Sequence, residues 1–195
     1  MKKPINWRMR KPQRWLRKDS SIIFTSEEPK VSREKRLTHV NETGAANMVD
    51  VGSKPSTERI AEAKAEVYME RETIALIRDN SFDKGDVIAT ARIAGIMAAK
   101  ETSKLIPLCH PLPISQVKVD IQLDEENKRV KIASIVKTNG KTGVEMEALT
   151  GASITALTIY DMCKAVDRSM NFRVWLATKS GGQSGNFAFE PPSIK

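Results

Sequence analysis

Residues 115–123, SQVKVDIQL, and 129–136, RVKIASIV, decide the fold class. In the first run Val117, Val119, Ile121 and Leu123 take every second position. In the second the alternation resumes after a polar DEENK turn. Period two on both sides of a short turn predicts a β-hairpin with one buried face.

Upstream, residues 61–69 (AEAKAEVYM) also place apolar side chains at every second position. Ala, Glu and Lys favour helix, but the spacing favours strand, and strand is the expectation. Residues 71–79 predict a short helix ended by the Asn80-Ser81 turn. Residues 85–105 predict one longer helix, with Gly95 inside it. Downstream, Leu149, Ala152, Ala156, Ile159, Cys163 and Val166 recur at helical spacing, so 148–168 predicts helix. Residues 172–178 (FRVWLAT) predict the last strand. Strands that come singly and in a hairpin, with helices between them, give an α+β fold: one mainly antiparallel sheet with helices on one face.

The chain has 195 residues, with 32 Lys/Arg against 24 Asp/Glu and a formal charge of +8. Residues 1–36 hold 12 of the bases and 4 of the acids, and 37–195 hold 20 of each. The basic excess therefore belongs to an N-terminal extension, 1–36. The domain, expected over 37–187 with a tail at 188–195, is neutral and is not a general polyanion binder. Residues 1–18 are Arg-rich and acid-free, with Trp7 and Trp15 interleaved. They read as an organellar presequence or as a solvated basic tail, and less readily as an RNA-binding arm. The compartment is the mitochondrial matrix on the first reading and the cytoplasm on the second. No apolar run approaches the ~20 residues of a membrane span, and no secretory signal is expected. Cys109 and Cys163 form no CxxC. With His39 and His110 they show no metal-ligand spacing.

Four segments carry polar groups that a core does not need. Lys84-Gly85-Asp86 stands at the mouth of the second helix, where a lysine can meet a phosphate or simply lie in solvent. In LIPLCHPL (105–112), Pro107 and Pro111 present Cys109 and His110 from a stiff segment. In KTGVEMEA (141–148), an extended run with Val144 and Met146 inward would aim Glu145 and Glu147 outward together, raising one pKa. Taken alone, the segment reads first as a solvated acidic pair at a helix N-terminus, where the dipole favours acids. Asp161 and Lys164 lie three apart on a helix, about 60° around it, as a surface ion pair or an acid/base pair. The glycine-rich KSGGQSG (179–185) suits a phosphate cradle or a flexible tail, and lacks the full P-loop pattern.

Taken together, LIPLCHPL, GKTGVEMEALT, LTIYDMCKAV and KSGGQSG closely resemble the cyclic pyranopterin monophosphate synthases of molybdenum cofactor biosynthesis. LTHVNETGAANMVDV (37–51) and KGDVIATARIAG (84–95) resemble the same family. The resemblance implies a ferredoxin-like fold and a homohexamer, a trimer of dimers, with sites between subunits. It implies a lyase that converts 3′,8-cyclo-7,8-dihydroguanosine 5′-triphosphate to cyclic pyranopterin monophosphate and pyrophosphate. The substrate would come from a separate radical S-adenosylmethionine GTP cyclase, since this chain lacks a CxxxCxxC run. The family's catalytic aspartate and its neighbouring lysine fall on Asp161 and Lys164, and another site lysine on Lys84. Its histidine falls on His110, within the substrate-contacting Leu108-Cys109-His110. Its glutamates fall on Glu145 and Glu147, with Met146 beside the substrate, and its tail lysine falls on Lys179. Gln183 stands where many members have a second lysine. No cofactor is expected beyond Mg²⁺ travelling with the triphosphate, and no nucleic-acid or membrane partner. The alternative is a non-catalytic nucleotide-binding subunit that keeps the fold.

Overall fold

The structure, a computed structural model, describes residues 46–192. The extension 1–36, the domain start at Leu37 and residues 193–195 lie outside the described residues. The elements run β1 (Thr57–Tyr68), α1 (Arg71–Arg78), α2 (Val87–Lys100), α3 (Thr102–Leu105), β2 (Ile114–Asp124), β3 (Arg129–Gly140), α4 (Glu145–Cys163), β4 (Asn171–Ser180) and β5 (Phe187–Ala188). The five strands form one sheet in the order β2-β3-β1-β4-β5, every pair antiparallel. The first four strands with their helices make the β-α-β-β-α-β arrangement of ferredoxin-like folds.

The alternation read from the sequence is what builds this sheet. On β3, Val130, Ile132, Ser134, Val136 and Thr138 are buried, and on β1 so are Ala61, Ala63, Ala65 and Val67. These residues face α4, and α2 packs beside it against β2. Each buried Val or Ile stabilises the fold by about 1.5–3 kcal/mol relative to exposure. The small residues on β1 let α4 approach closely, overriding their preference for helix. The opposite face is charged. Glu66 pairs there with Arg129 and Arg173, both at 2.7 Å. Strands β2 and β5 are the two edges.

Three expectations need correcting. The run 85–105 is not one helix. It breaks at Glu101, where Thr102 turns its hydroxyl back onto the Ala99 carbonyl at 3.0 Å, and α3 restarts for one turn. Helix α4 begins at Glu145 rather than 148 and stops at Cys163 rather than 168. Beyond Cys163, Asp167 instead receives the Glu70 backbone N–H and the Ser169 hydroxyl, tying the end of α4 to the start of α1. Nothing in the sequence signals β5, whose two residues pair with Lys179 and Thr178.

Helix α2 crosses α4 where glycines permit it. A Cβ on Gly95 would lie 2.9 Å from the Gly151 carbonyl and 2.0 Å from Thr155 Oγ1. The two helices run in opposite senses, so the mouth of α2 sits by the end of α4, and the segment after α3 by its start.

Candidate functional site

At the start of α4, a cleft of ≈290 Å³ is lined by Leu108, Cys109, His110, Glu145, Met146 and Glu147, with Val49, Val51 and Lys54 across from them. The prolines around Cys109 and His110 carry the chain past the first turn of α4. His110 Nε2 lies 3.0 Å from the Val49 carbonyl. A carbonyl only accepts, so Nε2 is the donor in this contact, and it fixes the orientation of the ring.

Glu145 folds back over Gly143, where a Cβ would collide with its carboxylate at 1.9 Å, and it pairs with Lys179 at 3.0 Å. Glu147 is 3% exposed. Burial pushes its carboxyl above the ordinary range and the Glu145 charge pushes the same way. A backbone hydrogen bond pulls it part of the way back. Burial, with the Glu147 charge adding to it when ionised, also raises the Cys109 thiol, which lines the cleft. An adjoining hollow of ≈280 Å³ carries Lys54, Arg59, Lys141, Gln183 and Ser184. Lys179 Nζ also donates to Ser184 Oγ at 2.6 Å, which brings the glycine-rich loop to the cleft.

The other end of α4 holds a second cluster. Lys164 Nζ lies 2.6 Å from Asp161 Oδ1, and Lys84 Nζ lies 3.3 Å from Oδ2 and 2.8 Å from the Asp161 carbonyl. Gly85, at φ +88°, turns the chain so that Lys84 reaches Asp161 while Asp86 caps α2 through Ala89 N–H. Lys164 first, then Lys84, hold the Asp161 carboxyl below the usual carboxylate range. Lys84 and Lys164 line a hollow of ≈470 Å³ with Tyr160 and Arg168.

Residues 48–182 match the family model described as the MoaC family. The chain belongs to the MoaC family. Among curated relatives, a Brucella ovis protein is 56% identical over 160 residues, covering 82% of this chain and 97% of that protein. A Brucella melitensis protein is 57% identical over 159 residues, covering 81% and 96%. Both bear the name cyclic pyranopterin monophosphate synthase.

In this MoaC chain, the residues singled out from the sequence fall into two groups. His110, Glu145, Glu147 and Lys179 meet at the start of α4, and Lys84, Asp161 and Lys164 at its end. Fourteen residues of helix at 1.5 Å each put about 21 Å between Glu147 and Asp161. One reading of the acidic segment is overturned. Residues 145–147 are the first turn of a helix rather than an extended run, so Met146 is exposed and Glu147 points inward, although both glutamates still line one cleft. Lys54, Arg59 and Lys141 were not legible as site residues. Arg59 clamps the segment before α4 by donating to the Gly140 and Lys141 carbonyls at 2.9 and 3.1 Å. Only the place of Lys141, two residues ahead of the glycine before α4, offered a signal. Among the described residues, no three His, Cys, Asp or Glu side chains gather as a metal site, and no helix is long and apolar enough to cross a membrane.

Proposed function

We propose that this chain is a cyclic pyranopterin monophosphate synthase. It would rearrange 3′,8-cyclo-7,8-dihydroguanosine 5′-triphosphate to cyclic pyranopterin monophosphate with release of pyrophosphate, a lyase step of molybdenum cofactor biosynthesis. Family membership supports the reaction. The observation that carries the mechanism is the splitting of the residue set between the two ends of α4.

The two ends have opposite electrostatic character. Glu147 is a carboxyl whose burial favours the protonated form, suited to giving and taking protons. Asp161 is a carboxylate held ionised between two lysines. Two acids driven apart in this way can serve as proton carrier and fixed charge in one reaction. Lys84, Lys164 and Lys179 bring positive charge for the triphosphate and for the charge that develops on departing pyrophosphate. His110 and Glu145 complete the acids and bases that ring rearrangement requires. Any Mg²⁺ would arrive on the triphosphate, and no resident cofactor is part of this reading.

Groups about 21 Å apart cannot all reach hydrogen-bond distance of one reacting ring, so each end of α4 is half a site. An isologous pair with antiparallel α4 helices would bring the start of one helix to the end of the other and make two equivalent whole sites. Leu157 on α4 and Ile93 and Met97 on α2, exposed apolar side chains beside this path, suit such a contact. In the same reading the pair is the unit of a hexamer, a trimer of dimers. The substrate comes from a radical S-adenosylmethionine GTP cyclase. The compartment follows the extension: the mitochondrial matrix if 1–36 is a presequence, the cytoplasm otherwise.

Incubating the purified full chain with the cyclic dihydroguanosine triphosphate should release pyrophosphate. Binding without release would leave the non-catalytic subunit reading. Co-expressing Glu147→Gln with Asp161→Asn should restore activity in about a quarter of the sites, by random mixing across a two-fold interface. Pairing Glu147→Gln with His110→Asn should restore none, because both losses fall in the same half-site. Equal failure of both pairings, with mixed oligomers demonstrated, would rule out the shared site.

A further inference from the structure

Lys179 reaches the cleft because β4 breaks step. Ala63 pairs with Leu176 and Glu62 with Thr178, so Ala177 is an extra residue without a partner on β1. Successive residues of a strand face opposite ways, and one inserted residue exchanges the faces beyond it. Before the bulge, Trp175 stands opposite Lys64 on the charged face. After it, Lys179 stands opposite Ala61, which is buried on the helix side. Without the bulge, Lys179 would share the face of Trp175 and turn away from Glu145.

The bulge is held shut by the chain that follows it. The Ala177 carbonyl accepts the Phe189 backbone N–H at 2.8 Å. Phe189 continues β5, and the next residues run on over the charged face. Glu190 meets Lys64 at 3.0 Å, and the Pro192 carbonyl accepts from Arg173 Nη1 at 3.0 Å. Glu190 and Pro191 share a cleft of ≈420 Å³ with Trp175, a residue only 9% exposed on the face of the sheet away from α4. The Arg173 guanidinium lies 5.2 Å from its ring centre.

We propose that residues 187–192 are a strap that positions Lys179. By closing the bulge at Ala177 the strap aims Lys179 at Glu145 and Ser184, and so sets triphosphate affinity from the opposite face of the sheet. The proposal rests on the function above for the identity of the ligand alone. The strap's contacts are individually weak, since exposed ion pairs contribute ~0–1 kcal/mol and a two-residue strand adds little. Such a segment opens easily, which makes its closure responsive to what binds beyond the bulge. Coupling of this kind is reciprocal: a ligand held by Lys179 must also tighten the strap over Trp175.

The test compares the full chain with a chain ending at Asn186, both carrying Trp7→Phe and Trp15→Phe. That leaves Trp175 as the sole remaining tryptophan of the three. Shortening should raise KM for the cyclic dihydroguanosine triphosphate about fivefold or more, in the usual range of such couplings, with kcat within about twofold. Saturating the full chain with the triphosphate should protect Trp175 from acrylamide quenching. An unchanged KM in the shortened chain, a loss confined to kcat, or quenching indifferent to the ligand would each overturn the proposal. If the full chain shows no turnover, the functional reading falls by itself. Calorimetric affinity for inorganic tripolyphosphate then decides the strap: weaker in the shortened chain supports it, equal in both overturns it.

Discussion

Glu147 and Asp161 sit on one helix in opposite surroundings, and single substitutions should separate their roles. Glu147 holds its proton more tightly folded than unfolded. That contribution to stability is present below the ordinary carboxyl pKa and is lost as pH rises through the raised one. Glu147→Gln should therefore melt higher than the parent at neutral pH, the gap closing as pH falls toward about 4, because the parent regains its proton there. Thermal melts of both proteins across that range check this, and the same substitution should abolish pyrophosphate release. A residue whose ionised form opposes folding and whose removal ends turnover is retained for chemistry. Asp161 differs, since its ion pairs with Lys164 and Lys84 are open to solvent. Asp161→Asn and Lys164→Ala should each lower kcat by ~10²–10⁴ while the melting temperature barely moves. The double variant should fall far short of the product of the two losses, as expected of groups acting together. Full activity in either single variant, measured by pyrophosphate release, would return the pair to an ordinary surface contact.

At the scale of elements, what was legible depended on whether the signal was periodic. The hairpin of β2 and β3 could be read because alternation over two runs has no helical counterpart. Strand β1 could be read despite its Ala, Glu and Lys, since burial against α4 outweighs local preference. The break at Glu101 could not, because Ala98, Ala99, Lys100 and Glu101 are good helix formers up to it and Lys104 and Leu105 resume beyond it, so Thr102 and Ser103 read as passing weak positions. The direction of Glu147 was missed because the extended run and the solvated helix start both turn it outward, and only tertiary packing buries it. The separation of the two clusters follows from the length of α4, legible in part because its interior was read and its ends were not, combined with the antiparallel crossing of α2 and α4, which was not legible. Gly95 shows the same limit. It interrupts a helical pattern for no local reason, yet the structure gives it the contact with Gly151 and Thr155. Gly95→Ala should gain about 1 kcal/mol of helix propensity. It should nevertheless be destabilised by about 1–3 kcal/mol overall, because a backbone carbonyl cannot move aside as a side chain can. Chemical denaturation should show a lower midpoint with an unchanged slope, and a rise in midpoint would mean that the helices can separate without loss.

At the scale of the whole molecule, charge and chemistry occupy different parts of the chain. The basic excess lies in 1–36, the family match in 48–182, and 37–195 is neutral. A chain beginning at Leu37 should keep kcat within about tenfold, ~1.4 kcal/mol of barrier, while losing the full chain's retention on a cation-exchange column. A larger drop in kcat would place the extension in the site. The sheet has its own whole-molecule consequence through β2, the longer of its two edges. Every second one of its eleven residues turns its backbone N–H and C=O to the outer side, which is what an extended segment of another molecule can pair with, although the Val119 carbonyl already accepts from Arg92 Nε at 3.2 Å. Lys118 and Asp120, paired with each other at 2.5 Å, stand in the middle of that strand, so an arriving apolar strand would lay its side chains against an ion pair. Exchanging both for Val or Ile would leave every catalytic group in place and turn β2 into a template for runaway strand addition. These two charges therefore guard solubility, a property that no turnover assay would register.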